Sequence, residues 1–169
     1  LRRELSIEQV APEVRGQTRI VYGNNDATIT YEGTTEEFFS IRNFNVTKGR
    51  IFTNSDVESF NHVAVLGPAI ADTLFGGVNP VDKVVRLRDV SFRVIGVLEK
   101  KGLGPFGIDQ DNLILLPLSV AQKQLLGLIG RLDKERYDIF LFTAKKGLLI
   151  PEPLSIEGVK VKRSGFLER

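Results

Sequence analysis

The fold of this chain is decided by residues 62–77, which read HVAVLGPAIADTLFGG. The segment from His62 to Leu66 is short and apolar, which predicts a buried strand. Gly67-Pro68 predicts the start of a helix, because proline is tolerated at the first helical position. Gly76-Gly77 predicts the end of that helix, where glycine readily adopts the left-handed conformation. The sequence therefore predicts a strand–turn–helix unit near the middle of the chain.

Strands and short helices are predicted on both sides of this unit. Thr18–Tyr22 and Ala27–Tyr31 predict a hairpin, because the turn-forming residues 23–26 separate them. Val84–Arg88 and Ser91–Leu98 predict two further strands, of which the first alternates apolar and basic residues. Other strands are predicted at 113–116, 137–143 and 159–162, and short helices after residue 34 and at 120–126. No fixed-period repeat is visible, and this mixture predicts the α+β class.

The composition is that of an ordinary globular domain, with 42% apolar and 26% charged residues. Acidic and basic residues are interleaved and the net charge is only +2, so the sequence predicts no nucleic-acid partner. The absence of cysteine excludes disulfides and thiolate metal sites. No apolar run reaches the roughly 20 residues that a membrane helix needs. We predict a core centred on Val63, Val65, Leu74, Phe75, Val85, Leu87, Phe92, Val94, Ile95 and Leu115.

Several polar residues have the spacing of helix caps. Thr34 and Glu37 predict a capping box at the start of a short helix. Ser55 or Asp56 is a second candidate cap. The adjacent carboxylates Glu36 and Glu37 could suggest acid–base chemistry, but negative charge in the first turn of a helix complements the helix dipole. We therefore interpret this carboxylate pair as structural.

The sequence predicts no catalytic, cofactor-binding or metal-binding residue. His62 is the only histidine, and neither a G-x-S-x-G nucleophile pattern nor a phosphate-binding loop accompanies it. Gly67-Pro68 resembles a nucleotide-binding turn only weakly, because proline removes one amide donor. Asp109, Asp111 and Asn112 resemble half of a calcium loop, but no bidentate glutamate follows them. We interpret these residues as structural, which also disfavours a small hydrolase.

The loop from Lys100 to Asn112 is the candidate contact site. It is longer than the about 4–6 residues of a typical connection, and long loops are often functional. Three apolar residues, Leu103, Phe106 and Ile108, stand among its glycines and aspartates. They either fold back onto the domain or form a contact surface for a neighbouring protomer or a partner protein. We favour the contact surface.

The segment from Thr34 to Leu126 resembles the MacB-like periplasmic core domain. The pieces that carry the resemblance stand in order: Glu36-Glu37-Phe38-Phe39, Gly49-Arg50-Ile51-Phe52, Asp56, Val63-Ala64-Val65-Leu66-Gly67, Ala71, Leu74-Phe75-Gly76, Asn79-Pro80-Val81, Lys83, Arg86, Phe92-Arg93-Val94-Ile95-Gly96-Val97, Lys101-Gly102, Asp111, Pro117-Leu118 and Ala121-Gln122, with Val10-Ala11-Pro12 upstream. Each piece is weak alone, and their order and spacing make the match specific.

The resemblance implies the extracytoplasmic domain of an ABC transporter permease, held between two membrane helices of its parent protein. It implies two small lobes: a βα-type membrane-proximal lobe formed by residues 1–33 plus 131–169, and an inserted α+β lobe formed by residues 34–130. Such a domain is non-catalytic. It transmits conformational change and contacts partner or cargo in efflux or lipoprotein release.

The resemblance also implies partners and a location. The partners are the transmembrane helices of the same parent chain, a cytoplasmic ATPase subunit or domain, a second permease protomer and a periplasmic adaptor protein. No cofactor is implied. The location is extracytoplasmic, on the periplasmic or outer face, with the parent tethered to the cytoplasmic membrane.

Two positions depart from the family pattern. Asp82 stands where the family commonly has glycine, and aspartate can still adopt the positive φ of such a turn. Residues 145–157 contain two prolines in place of an expected amphipathic helix. The alternative function is a free-standing extracytoplasmic binding or adaptor module. Gene context distinguishes the two, because the permease requires membrane helices before Leu1 and after Arg169.

Overall fold

The structure is a computed structural model and describes residues 9–104, 109–123, 140–144 and 160–164. The chain divides into two compact units, Leu1–Gln122 and Lys123–Arg169. The elements of the first unit are β1 (Val14–Tyr22), β2 (Asn25–Thr34), α1 (Glu37–Ile41), β3 (Val46–Gly49), α2 (Asn54–Glu58), β4 (Val63–Leu66), α3 (Pro68–Phe75), β5 (Val84–Leu87), β6 (Val90–Leu98) and β7 (Leu113–Pro117). Residues 118–123 are helical. The predicted α+β class is confirmed.

The sheet of the first unit closes on itself. Its strand order is β3-β6-β4-β7-β2-β1-β5, and β5 pairs with β6 as well as with β1. The strands β6, β4, β7, β2, β1 and β5 therefore form a ring, and β3 is an additional strand on β6. Closure is made by two antiparallel pairings of β5, in which Leu87 lies opposite Ile20 and Val85 lies opposite Phe92.

Two apolar clusters lie on opposite faces of this ring, because successive side chains of a strand point to opposite faces. In β4, Ala64 and Leu66 belong to the inner cluster, whereas Val63 and Val65 belong to the outer one. Every ring strand contributes to the inner cluster, which α3 completes. The outer cluster is covered by the phenylalanines of the α1–α2 region, namely Phe38, Phe39, Phe44 and Phe52.

All the residues of the predicted core are buried, which confirms that prediction. They do not form one core, however. Leu74, Phe75, Val85, Leu87, Phe92 and Val94 lie in the inner cluster, and Val63, Val65, Ile95 and Leu115 lie in the outer one. Periodicity alone identified them as buried, and only the closure of the sheet separates them into two clusters.

The local turns follow the predicted chemistry. The hairpin between β1 and β2 turns at Gly23, whose φ is +56°. Pro68 is the first residue of α3, and the helix is capped at its C-terminal end by Gly76, which has the left-handed conformation. Asp82 also has a positive φ of +66°, and its amide donates to the carbonyl of Val94 at 2.8 Å. Asp82 thus adopts the positive φ that was predicted to be possible for aspartate at this turn.

The predicted capping box of Thr34 and Glu37 is wrong. Thr34 is the last residue of β2, where it pairs with Pro117 of β7, and its hydroxyl donates to the carbonyl of Pro12 at 2.9 Å. α1 has no side-chain cap. The strand extends three residues beyond the predicted end at Tyr31, and its pairing with β7 takes Thr34 away from the helix.

The capping box belongs to α2 instead. Thr53 is its N-cap and Asp56 is the third helical residue. The Asp56 carboxylate accepts the backbone amide of Thr53 at 3.0 Å. Of the two predicted candidates, Asp56 is therefore part of the cap, although it acts as the acidic partner rather than as the N-cap residue.

The second unit contains β8 (Phe140–Ala144) and β9 (Lys160–Ser164), which pair in parallel. Their positions agree with the strands predicted at 137–143 and 159–162, and the departure predicted at 145–157 lies outside the described residues. The predicted lobe of residues 1–33 plus 131–169 stays a prediction. Within the first unit, β1 and β2 belong to the same closed sheet as β4 to β7.

Candidate functional site

The loop between β6 and β7 is held at its base by Asp111. This buried carboxylate accepts two backbone amides, that of Lys101 at 2.7 Å and that of Gly102 at 3.0 Å, one on each oxygen. The amide of Gln110 donates to the carbonyl of Gly102 at 3.1 Å, which joins the two sides of the loop. Because both carboxylate oxygens bind backbone, Asp111 clamps the loop and the structure gives no support for the calcium interpretation.

Lys101 fastens the same loop base to α1. Its ammonium group donates to the carbonyl of Arg42, the C-cap of that helix, at 2.7 Å. A lysine at this place satisfies a carbonyl that the helix leaves unpaired. The ammonium group also lies 4.3 Å from the ring centroid of Phe44, which adds a cation–π attraction. The loop therefore leaves the domain from a base that is fixed at two points.

Leu103 projects into solvent beyond this base. It forms an isolated antiparallel bridge with Asp109, yet 73% of the residue is exposed. Phe106 and Ile108, the other two predicted contact residues, lie outside the described residues. The contact function of the three stays a prediction, and the exposure of Leu103 agrees with a contact surface better than with a side chain folded onto the domain.

Gly67 packs directly on the loop base. Its amide donates to the carbonyl of Leu113 at 2.8 Å, and a Cβ added at this residue would lie 2.2 Å from the carbonyl oxygen of Asp111. The amide that a nucleotide phosphate would need is therefore already bound. Glycine is required here by close backbone approach, and the turn before α3 is a packing contact.

The remaining candidate catalytic groups have structural partners. Glu36 accepts the backbone amide of Asn54, and Glu37 accepts its side-chain amide, each at 2.9 Å. The nearby Thr35 hydroxyl and the hydrogen bond from Asn54 hold the pKa of Glu37 below its usual range. The carboxylate pair thus joins α1 to the start of α2. His62 is exposed, and its ring centroid lies 5.5 Å from that of Phe92.

Asp56 is a buried carboxylate at the centre of a polar cluster, a role beyond the helix cap that its position predicts. Besides the amide of Thr53, its carboxylate accepts Arg50 Nη1 at 2.7 Å and Asn61 Nδ2 at 2.9 Å. The hydrogen bond from the Arg50 guanidinium, assisted by those from Thr53 and Asn61, holds the pKa of Asp56 well below its usual range. Arg50 and Asp56 are six residues apart, and no regular helix or strand spacing predicts that their side chains pair.

Glu32 is a buried carboxylate on β2. Arg15, its cross-strand partner, lies 3.3 Å away. Burial raises the pKa of Glu32, the charge of Glu13 raises it further, and the charges of Arg15 and Arg42 oppose that rise. Within the described ranges, no group of three or more histidine, aspartate and glutamate side chains could hold a metal ion.

A shallow groove of about 210 Å³ lies between α3, β3 and the end of β6. Ala71, Val97 and Leu98 contribute apolar surface to it, and Lys48 and Lys100 line it as well. Sites for small molecules and cofactors are typically larger, about 300–1,000 Å³. The groove carries no catalytic constellation.

Comparison with known proteins places this geometry in a family. The family model of the MacB-like periplasmic core domain matches residues 1–148. The chain is 41% identical over 118 residues to the macrolide export ATP-binding/permease protein MacB of Syntrophobacter fumaroxidans, covering 69% of this chain and 16% of that protein. It is 36% identical over 121 residues to the pyoverdine export ATP-binding/permease protein PvdT of Pseudomonas aeruginosa, covering 72% of this chain and 18% of that protein.

Solved structures agree with this relationship. The periplasmic region of MacB from Actinobacillus actinomycetemcomitans aligns with a TM-score of 0.63 at 28% identity, covering 74% of this chain and 55% of that one. The extracellular domain of the transporter YknZ from Gram-positive bacteria shares the fold, with a TM-score of 0.61 at 23% identity, covering 70% of this chain and 59% of that one. The chain spans under a fifth of the length of the curated relatives that it matches.

The closed sheet, the clamped loop and these relatives define an extracytoplasmic domain of an ABC transporter permease. More particularly, the chain belongs to the family of MacB-like periplasmic core domains. None of the helices in the described part of the chain is long and apolar enough to cross a membrane.

Proposed function

We propose that this domain is a non-catalytic part of its parent transporter, and that it transmits conformational change and contacts a partner or cargo in efflux or lipoprotein release. The observation that carries the proposal is the β6–β7 loop. Its base is fixed by Asp111 and Lys101, whereas Leu103 is exposed beyond it. An exposed apolar side chain on a rigid base suits a contact, because little conformational freedom is lost on binding.

A closed sheet with clusters on both faces is also suited to moving as a rigid body. Packed interiors deform little and transmit displacement. A shift imposed at one end of the domain would therefore reach the β6–β7 loop without being absorbed. The proposed sources of that shift are the parent's transmembrane helices and its cytoplasmic ATPase. In this scheme residues 1–33 and 131–169 form the membrane-proximal lobe.

The proposed recipient of the movement is a second permease protomer or a periplasmic adaptor protein, which would contact Leu103, Phe106 and Ile108. These three residues are the proposed contact residues. The parent is proposed to be tethered to the cytoplasmic membrane, with this domain on its outer face.

The test is a Leu103→Ser/Phe106→Ser double variant in the full parent transporter. We expect the double variant to lower transport. The isolated 169-residue chain with the same two substitutions should keep the melting temperature of the unsubstituted chain. Val78→Ser is the matched control, because Val78 is also an exposed aliphatic residue, 62% exposed, in the segment after α3. Transport equal to that of the wild-type transporter would refute the contact. A lowered melting temperature would instead show that these side chains pack in the core.

A further inference from the structure

Within the described part of the chain, the outer face of the ring is exposed along β5 and the start of β6, and half-buried at Val21 of β1. In these strands the inward residues are apolar, namely Ile20, Val85, Leu87 and Phe92. The residues that alternate with them point outwards, and none of the outward residues on β5 and β6 is buried there. The apolar residue among them, Val84, is 56% exposed. Among the described residues, nothing covers this face as α1 and α2 cover the outer cluster.

Two arginines lie next to each other on this face. Val84 is opposite Arg93, and Arg86 is opposite Ser91, so Arg86 and Arg93 are diagonal neighbours across β5 and β6. Such neighbours on one face are about 7–8 Å apart, within reach of long side chains. Val21 of β1 is opposite Arg86. Neither Arg86 nor Arg93 takes part in the ion pairs Arg15–Glu32, Arg19–Asp26 and Arg50–Asp56 seen in the described part of the chain.

We infer that this arginine face, defined as Val21, Val84, Arg86, Ser91 and Arg93, docks an acidic polypeptide segment of a partner protein. Neighbouring like charges repel, and a carboxylate between two guanidinium groups removes that repulsion. Arginine binds carboxylates in a planar, bidentate manner. The valines between the arginines supply apolar surface, and arginine with buried apolar area is typical of protein interfaces.

A partner segment with carboxylates at alternating positions fits this arrangement. The side chains of a strand repeat every second residue, so Val84 and Arg86 present an apolar and a basic group side by side along one strand. The complementary segment therefore alternates acidic and apolar residues. The inference does not rest on the β6–β7 loop, because that loop leaves β6 after Leu98, whereas the arginine face lies along its first half.

The test uses the 169-residue chain and a short fluorescent peptide of alternating Glu and Val. We expect fluorescence anisotropy to show binding that weakens with added salt, and no binding of the corresponding Lys–Val peptide. The variant Arg86→Glu/Arg93→Glu should weaken binding by about tenfold or more. The matched control is Lys48→Glu/Lys100→Glu, which makes the same change of net charge in the groove beside α3 and should leave binding within about twofold.

Three results would overturn the inference. Equal loss in both double variants would show that binding follows net charge and has no specific face. If the Glu–Val peptide does not bind the unsubstituted 169-residue chain, an acidic polypeptide is not the partner of this face. Arginine-dependent binding to phosphatidylglycerol vesicles without peptide binding would assign the face to the membrane. Circular dichroism and melting of both variants establish that each is folded, and Arg86→Gln/Arg93→Gln repeats the test if the glutamate variant unfolds.

Discussion

The backbone of Gly67, at the end of β4, packs against the backbone of Asp111, just before β7. A Cβ added to Gly67 would lie only 2.2 Å from the Asp111 carbonyl oxygen. The turn that starts α3 and the base of the β6–β7 loop are therefore built around one another. An atom added at Gly67 must push against backbone, which cannot rotate away as a side chain can.

Gly67→Ala should destabilise the domain by about 1–3 kcal/mol, the usual cost of overpacking. Strain in φ is not the cause, because Gly67 has a φ of −66°. Gly76→Ala is the control for backbone strain, since φ there is +56° and nothing lies within 4 Å of the added Cβ. Urea unfolding measures both, and exchange of the Lys101 amide with deuterium should quicken only in Gly67→Ala. Equal exchange in the two variants would contradict the contact.

Asp56→Asn should destabilise the domain by about 1.5–3 kcal/mol at neutral pH, the usual value of a hydrogen bond to a charged group. The folded-state pKa of Asp56 is lowered, so its contribution is present above the unfolded pKa of about 3.9 and is lost as the pH falls further. The free-energy difference between wild type and variant should therefore shrink below pH 4. A difference that is constant from pH 7 to pH 2 would show that the charge is not responsible.

Glu32→Gln should change the pH dependence in the opposite direction. The folded-state pKa of Glu32 is raised, chiefly by burial, so the stability that its protonated form provides is present below the unfolded pKa and is lost as the pH rises through the folded one. The glutamine variant cannot lose this contribution, so its stability relative to wild type should increase from pH 4 to pH 7. Glu58→Gln, at an exposed position of α2, is the control for the loss of one carboxylate. A rise in both variants would contradict the role of burial.

Phe60→Gly should be more stable than Phe60→Ala by about 1 kcal/mol. Phe60 follows α2 with a φ of +53°, and the amides of Phe60 and Asn61 donate to Val57 and Asp56 at 3.2 and 3.0 Å. These bonds form a Schellman motif, in which glycine usually takes the left-handed position. Both variants remove the side chain of Phe60, a residue that is 43% exposed, and only glycine removes the strain. Thermal unfolding that ranks alanine equal to glycine would contradict the prediction.

The strand–turn–helix unit and the β1–β2 hairpin could be predicted, because their turns depend on nearby residues such as Gly23, Gly67-Pro68 and Gly76. The closure of the sheet could not, since the pairing of Ile20 with Leu87 joins distant parts of the chain and leaves no local signal. The same limit explains Thr34, whose helix-capping spacing was overridden by its pairing with Pro117. At the candidate site, the loop and Leu103 were predictable from length and composition. The clamp was not, because Asp111 binds amides across the loop.

Closure of the ring also orders the events of folding. β1 and β2 precede β5 and β7 in the chain, yet the two outer edges of the β1–β2 hairpin are paired only when β5 and β7 are present. Until then both edges expose unpaired amides and carbonyls, which makes the nascent hairpin a template for association with other chains. Contacts between distant residues also slow folding. The interval before residue 117 arrives is therefore the period in which this domain most needs protection by chaperones.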